Sequence, residues 1–460
     1  MGIENVKSFR QEKNKITSAK QEGNVMYDYE EALDLVRDEL KLQLVDDLEQ
    51  KLLGADKAET IIKNKAYLRR KKEDHREKIT NIVYSKSLRV RDYDNQRFID
   101  EMVDEFAGHS ILSDAFRDDA VSDIFCLAWN KIYVEKDGKN VKYEKFFRSP
   151  KQYKDFVERL LREAGKEMNN GANKIVDFDI YEDRYCATSK KVSPKDISLT
   201  IRKHAESHIK LHQIVDKGCM SQKVADLLGT FILGELNLIY AGITGSGKTT
   251  SMRALLDYYV TKANKRMLVC EDTQELFPEN DHTVELVTSK GDSEDTSITL
   301  GDLIITALRL KPKYIVVGEV RGVEAESAVE GMATGHSTIF SMHAGLPIDA
   351  VNRLVTKYLQ AMPSLGVDVV ERIIGNALDY IAIQDDIPGI GRRVTSITEV
   401  TYDYVTRRVA LKPIVKFDFK TKDFSFENKI SPEKAEKMLR RGIPYETLRP
   451  IVEGWDEEVA

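Results

Sequence analysis

The chain has 460 residues, enough at about 100–200 residues per domain for two to four domains with a sizeable core, which excludes a peptide hormone, a disulfide-stapled miniprotein or a lone binding module. Hydrophobic residues make up 42% and charged residues 32%, a globular mix that excludes wholesale disorder, collagen and a coiled-coil rod. With 70 Lys plus Arg against 76 Asp plus Glu the net charge is −6, so there is no global attraction to nucleic acid, which is not an expected partner.

Cys126, Cys186, Cys219 and Cys270 stand far apart without a CxxC pair, which suits a reducing cytosol rather than a disulfide framework or zinc knuckle. The first residues carry no apolar signal core, and apolar stretches such as Leu236–Ala241 and Tyr314–Val317 fall far short of the roughly 20 residues that span a bilayer. Work at a membrane would need another component to hold the chain there.

Residues 1–92 read as a charged helical segment, because Leu33, Val36, Leu40, Leu44 and Leu48 recur at steps of three and four. The basic run Arg69-Arg70-Lys71-Lys72 is followed at once by Glu73, Asp74 and Glu77, the pattern of a solvated helical face. Residues 93–214 read as an α+β domain. Asp137-Gly138 between Ile132–Val134 and Val141–Phe147 predicts a β-hairpin. Ser149-Pro150 supplies an N-cap and a first-turn proline for a helix that turns Tyr153, Phe156, Val157, Leu160 and Leu161 inward and stops at Gly165. After a connector at 203–216, apolar runs at Leu236–Ala241, Met267–Cys270, Tyr314–Val317 and Thr338–Met342 alternate with helical stretches. That alternation predicts a parallel sheet covered by helices, with its chemistry at the strand ends. Two alternating runs, Val394–Tyr402 and Val409–Phe419, and a short helical tail at 431–454 close the chain.

Gly242-Ile243-Thr244-Gly245-Ser246-Gly247-Lys248-Thr249 fits G-x-x-x-x-G-K-[ST] completely, after a predicted strand and at the start of a predicted helix from Thr249 to Thr261. The glycines let backbone N–H groups, with those of Thr249 and Thr250 behind them, curl round a polyphosphate, and the helix N-terminus adds a positive dipole. Lys248 supplies a point charge, and the Thr249 hydroxyl is the expected Mg²⁺ ligand. Downstream, Tyr314–Val317 runs into Gly318-Glu319, an apolar strand ending in a carboxylate beside the metal. Glu319 is therefore the candidate for activating the attacking water. Met267–Cys270 ends in Glu271-Asp272-Thr273-Gln274-Glu275, carboxylates that hold a metal-bound water or cap the next loop. His336 and His343 bracket a predicted strand, so they do not chelate one metal together, and a histidine that hydrogen-bonds a γ-phosphate is expected here.

In chain order, the phosphate loop, Glu271-Asp272-Thr273-Gln274-Glu275, Gly318-Glu319-Val320-Arg321-Gly322 and the segment from Thr334-Gly335-His336 to His343-Ala344 match the Walker A, Asp box, Walker B and His box of one family. The sequence resembles the secretion and pilus-assembly ATPases of the type II and type IV secretion superfamily, most of all the tight-adherence (Flp) pilus branch, over roughly residues 99–400. The resemblance implies an α/β protein with a RecA-like P-loop ATPase domain at 215–460 behind the smaller α+β domain and the N-terminal helical segment. It implies a cytosolic homohexamer at the inner face of the cytoplasmic membrane, with ATP and Mg²⁺ between the two domains and near a neighbouring subunit. The implied partners are an integral membrane platform protein and, indirectly, pilin or a secreted protein. Arg184, Arg202 and Arg321 match family arginines that neutralise phosphate charge, His336 with Arg321 would sense the γ-phosphate, and Glu271 would assist Glu319. Where the branch has Asp-Ala-Arg-Leu, this chain has Asp177-Phe178-Asp179-Ile180 and so lacks one arginine. The alternatives are a nucleic-acid motor of conjugation or DNA uptake, and a nucleotide-dependent scaffold with little turnover.

Overall fold

The computed structural model describes residues 26–53, 64–168, 173–204, 209–289 and 296–455, leaving aside the side chains of 44–53. The chain divides into two compact units, Met1–Ala205 and Glu206–Ala460.

In the first unit, helices α1 (Tyr29–Leu53), α2 (Lys65–Ser85) and α3 (Asn95–Phe106) share one apolar core. The stripe read from the sequence supplies part of it. Leu33, Val36 and Leu40 are buried with Ile79, Ile82 and Val83, whereas Leu44 and Leu48 lie outside the described side chains. Phe98, Ile99, Met102 and Val103 complete that core, so the helical layer runs on to Phe106 rather than stopping at 92.

The rest of this unit is an antiparallel sheet of six strands, β1 (Val121–Ala128), β2 (Lys131–Lys136), β3 (Lys139–Lys142), β4 (Ile175–Ile180), β5 (Asp183–Thr188) and β6 (Ser198–Arg202), in the order β3-β2-β1-β6-β5-β4. Asp137 and Gly138 take φ of 51° and 73°, and Lys136 pairs with Lys139 across them, the two-residue hairpin expected of Asp-Gly. The second hairpin strand ends at Lys142, short of the expected Phe147. Phe147 is instead buried against Tyr153 and Phe156 of α4 (Pro150–Glu163). Ser149 caps that helix by accepting the Gln152 N–H at 3.1 Å, while Tyr153, Phe156, Val157, Leu160 and Leu161 pack on the sheet. Burying such side chains stabilises by about 1.5–3 kcal/mol each, so the cap is the smaller contribution. Ser149→Ala is expected to cost about 1 kcal/mol, to be read as a lower urea midpoint by circular dichroism.

The second unit is built on a nine-stranded sheet. Its strands are β7 (Leu238–Gly242), β8 (Met267–Glu271), β9 (Thr283–Val287), β10 (Tyr314–Val317), β11 (Ser337–Met342), β12 (Tyr380–Ile387), β13 (Gly391–Asp403), β14 (Arg408–Asp418) and β15 (Asp423–Phe426), in the order β9-β8-β10-β11-β7-β12-β13-β14-β15. The first six in that order run parallel and the last three turn back antiparallel. Both faces are buried, as parallel strands require. Leu238, Tyr240, Tyr314 and Val316 point into one core, formed with α5 (Leu211–Asp216), α6 (Gln222–Leu233), α7 (Lys248–Lys262) and, after the last strand, α12 (Pro432–Leu439). Ile239, Ala241, Ile315 and Val317 point into the other, with α8 (Leu300–Arg309), α9 (Ala325–Ala333), α10 (Pro347–Ala361) and α11 (Val367–Ala377). Because Leu211 and Ile214 of α5 belong to the first of these cores, the unit begins before residue 215.

The strand that feeds the phosphate loop, β7, and the strand that ends at Glu319, β10, are separated by β11, which is the order of a RecA-like domain. Among the described residues no helix is long and apolar enough to cross a membrane.

Candidate nucleotide site

Parallel strands bring their carboxyl ends to one edge, so Gly242 at the end of β7, Glu271 at the end of β8, Glu319 after β10 and His343 after β11 meet there. The Gly242–Thr249 loop is shaped by its glycines. Gly245 and Gly247 have φ of +79° and +85°, a region that side-chain-bearing residues avoid. A Cβ on Gly242 would lie 2.0 Å from the Gln384 carbonyl oxygen of the adjoining β12. Gly247 stands at the N-cap of α7 with no side chain capping the helix, so the first-turn N–H groups of Lys248, Thr249 and Thr250 are left for an outside acceptor. Ile243, Thr244 and Gly245 are exposed, while Ser246 is buried and its hydroxyl donates to Ile243 O at 2.9 Å.

Lys248 is 7% exposed. Its Nζ donates to Ile243 O at 2.9 Å and to Gly242 O at 3.2 Å, and lies 3.4 Å from His343 Nδ1. Burial lowers its pKa against the pull of Glu319. Burial also acts to raise the Glu319 pKa, but Arg321, His343 and Lys248 outweigh it and hold the carboxyl below its ordinary value. Arg321 donates to Glu319 Oε2 at 2.6 Å, and His343 Nε2 lies 2.9 Å from Oε1. That Oε1 is buried and accepts no hydrogen bond. Glu319 is thus a carboxylate at neutral pH, with Oε2 held by Arg321 and Oε1 facing the His343 ring nitrogen.

Glu271 is 2% exposed and its Oε1 accepts the N–H groups of Glu275 and Leu276 at 3.2 and 3.1 Å. Of the two roles read from the sequence, the geometry displays the loop cap. Its side chain packs on Gly318, where a Cβ would lie 2.9 Å from Glu271 Cγ. Burial pushes the Glu271 carboxyl from 4.5 up to about 8. Since the folded-state pKa is the higher one, the stabilisation it reports is complete below about pH 4.5 and is lost as pH rises through about 8. Relative to Glu271→Gln, the wild type is expected to lose up to about 1.4 kcal/mol of stability per pH unit over that window. Urea midpoints of the two proteins from pH 5 to 8 check this, and parallel curves would contradict it.

His336 is a correction. It precedes β11 and pairs with Thr334 Oγ1 at 3.2 Å, which puts it at the amino edge of the sheet. Six strand residues separate it from His343, about 20 Å at the rise of an extended chain. The histidine at the loop is His343, which follows β11 at the same edge of the sheet where Glu319 follows β10. Arg202 and Arg184 lie in the first unit as cross-strand neighbours on β6 and β5, where Arg202 Nε donates to Asp123 Oδ1 at 3.0 Å. Asp179, where the missing arginine was sought, is the cross-strand partner of Arg184. One residue the sequence did not single out is Gln384, buried on β12, whose Nε2 donates to Ser246 O at 2.5 Å.

These groups fit a polyphosphate and a divalent cation. The loop offers uncapped N–H groups and a lysine whose charge meets backbone carbonyls and no hydrogen-bonded carboxylate. The Glu319 carboxylate, whose Oε1 accepts no hydrogen bond, and the Thr249 hydroxyl on the first turn are hard oxygen donors of the kind Mg²⁺ takes. No group of three or more His, Cys, Asp or Glu able to hold a metal occurs among the described residues, so a cation here would share its coordination with the phosphates.

Residues 191–385 match the model of a family described as type II/IV secretion system protein. An uncharacterized protein of Methanocaldococcus jannaschii is 32% identical over 252 residues, 53% of this chain and 45% of that one. The conjugal transfer protein TrbB of Rhizobium radiobacter is 31% identical over 205 residues, 44% of this chain and 60% of that one. The chain thus spans about half the length of these curated relatives. Among solved structures, the Legionella pneumophila ATPase DotB aligns over 64% of this chain and 80% of its own, with a TM-score of 0.44 and 21% identity.

Proposed function

We propose, for a chain that carries a type II/IV secretion system protein domain over residues 191–385, that it is an Mg²⁺-dependent ATP hydrolase working as a homohexameric motor at the inner face of the cytoplasmic membrane. The observation that carries the reading is the uncapped, glycine-bent start of α7 with buried Lys248, set beside a carboxylate that Arg321 anchors and His343 faces. Backbone N–H groups of the Gly242–Thr250 segment and the Lys248 ammonium bind the phosphates. The Thr249 hydroxyl and Glu319, in part through water, would hold Mg²⁺, whose charge would offset that of the phosphates. Glu319 Oε1 takes the proton of the attacking water, and Arg321 orients that carboxylate through Oε2. His343 takes the place first given to His336. Glu271 assists by holding the Asp-box loop, and Arg202 and Arg184 neutralise phosphate charge.

Turnover would drive domain motion coupled to an integral membrane platform protein, moving pilin of a tight-adherence type pilus or another protein substrate. The likeness to a conjugal transfer protein supports a second reading, a motor serving conjugation. The test is Mg²⁺-dependent ATP turnover across protein concentrations, with and without single-stranded DNA. Specific activity that rises with concentration supports the assembled motor. Stimulation by DNA selects the second reading, and tight ATP binding without turnover at any concentration points to a scaffold.

A further inference from the structure

We infer that Gln384 is a positioning residue for nucleotide binding, locking one peptide plane of the phosphate loop; the inference rests on the nucleotide-site reading above. Gln384 lies on β12, level with Gly242 in the parallel pairing of β12 with β7, and is 1% exposed. Both ends of its amide are used. Oε1 accepts the hydroxyl of Tyr240 at 2.7 Å, and Nε2 donates to the backbone carbonyl of Ser246 at 2.5 Å. Tyr240 is itself fully buried, so the tyrosine fixes which way round the amide sits.

The consequence follows from peptide geometry. The Ser246–Gly247 peptide is planar and trans, so its C=O and N–H point in opposite directions. Holding the Ser246 carbonyl on Gln384 aims the Gly247 N–H away from β12, toward the concave side of the loop where a phosphate oxygen would sit. The φ of +85° at Gly247 leaves that plane otherwise free to turn, because glycine has several accessible wells. A second observation agrees: a Cβ at Gly247 would lie 3.1 Å from Gln384 Nε2 and 3.2 Å from Arg392 Cδ. Glycine at 247 and glutamine at 384 therefore form one fitted pair, which preorganises the cradle before nucleotide arrives.

The test compares the wild-type chain with Gln384→Met, which keeps the volume but removes both hydrogen bonds, and with Tyr240→Phe, which keeps the Nε2 donor but releases the amide. Mg-ADP affinity by calorimetry and KM and kcat for ATP are measured alongside the thermal midpoint. The expected result for Gln384→Met is an ADP dissociation constant and a KM raised about tenfold, with kcat at saturating ATP changed less than about threefold. Tyr240→Phe should fall between the two. Unchanged affinity with a lowered thermal midpoint, or kcat and KM that move only with the folded fraction, overturns the inference and makes Gln384 a packing residue. If Gln384→Met does not fold, Tyr240→Phe decides on the same readouts. Failure of the wild type itself to bind ADP would instead overturn the nucleotide-site reading, and the inference with it.

Discussion

Glu319→Gln is expected to lower Mg²⁺-dependent ATP turnover by about 10³-fold, within the range that loss of a general base produces, while leaving ADP affinity within a few-fold. The amide keeps the shape of the carboxylate and can still accept the Arg321 hydrogen bond made to Oε2 at 2.6 Å. It cannot take a proton. Steady-state turnover and ADP titration of the same preparation separate the two quantities, and turnover close to wild type would remove Glu319 from the chemistry. The pH profile carries a second expectation. Arg321, His343 and Lys248 together hold the Glu319 pKa below its ordinary value in spite of burial. A group with a depressed pKa is ionised above it, so this carboxylate contributes no acid-side fall in activity until the pH drops below the usual glutamate range. An activity limb near pH 6 that survives in Glu319→Gln would belong to another group.

What the sequence disclosed about this site divides along a physical line. The phosphate loop, Glu319 and Glu271 were legible because each role is written in a short segment: glycine at fixed offsets before Lys-Thr, or a carboxylate at the end of an apolar run. His343 and His336 look alike at that level, since both flank β11. Only the parallel direction of β11 with β7 and β10 tells which end faces the loop. Gln384 was not legible at all. Its partner is 138 residues away, and its strand, Tyr380–Ile387, opens with only four apolar residues before the polar Gln384-Asp385-Asp386, too short a run to separate strand from buried helix. The same holds for β9, an edge strand of mixed burial that follows a polar turn. The fold class was legible from alternation of strand and helix. Of the antiparallel extension, β13 and β14 appeared as two alternating runs, whereas the four-residue β15 did not, and the attachment to the parallel sheet came through the unread β12.

Lys248→Ala should act on the other half of the cycle, weakening ATP and ADP binding by about 10²–10³-fold, as truncation of one partner of a buried charge contact does at about 2–5 kcal/mol. The ammonium is 7% exposed and burial already lowers its pKa. In the free protein its charge is met by the carbonyls of Gly242 and Ile243, a weaker partnership than a polyphosphate would offer. Removing it therefore costs the free protein little. Two carbonyls lose a donor, at about 1 kcal/mol each, while a poorly solvated charge disappears. The expected pattern is a thermal midpoint near wild type without nucleotide and the loss of the upward shift that Mg-ADP gives the wild type, since stabilisation by a ligand scales with its concentration over its dissociation constant. Thermal melts with and without Mg-ADP check both halves. A variant that melts far below wild type with no nucleotide present would mean that Lys248 holds the loop structurally. A variant still shifted by Mg-ADP as the wild type is would mean that the backbone N–H groups and the helix start carry the phosphate on their own, with the lysine reserved for the transition state. That result would move Lys248 to the side of Glu319, and turnover rather than binding would then be where its loss shows.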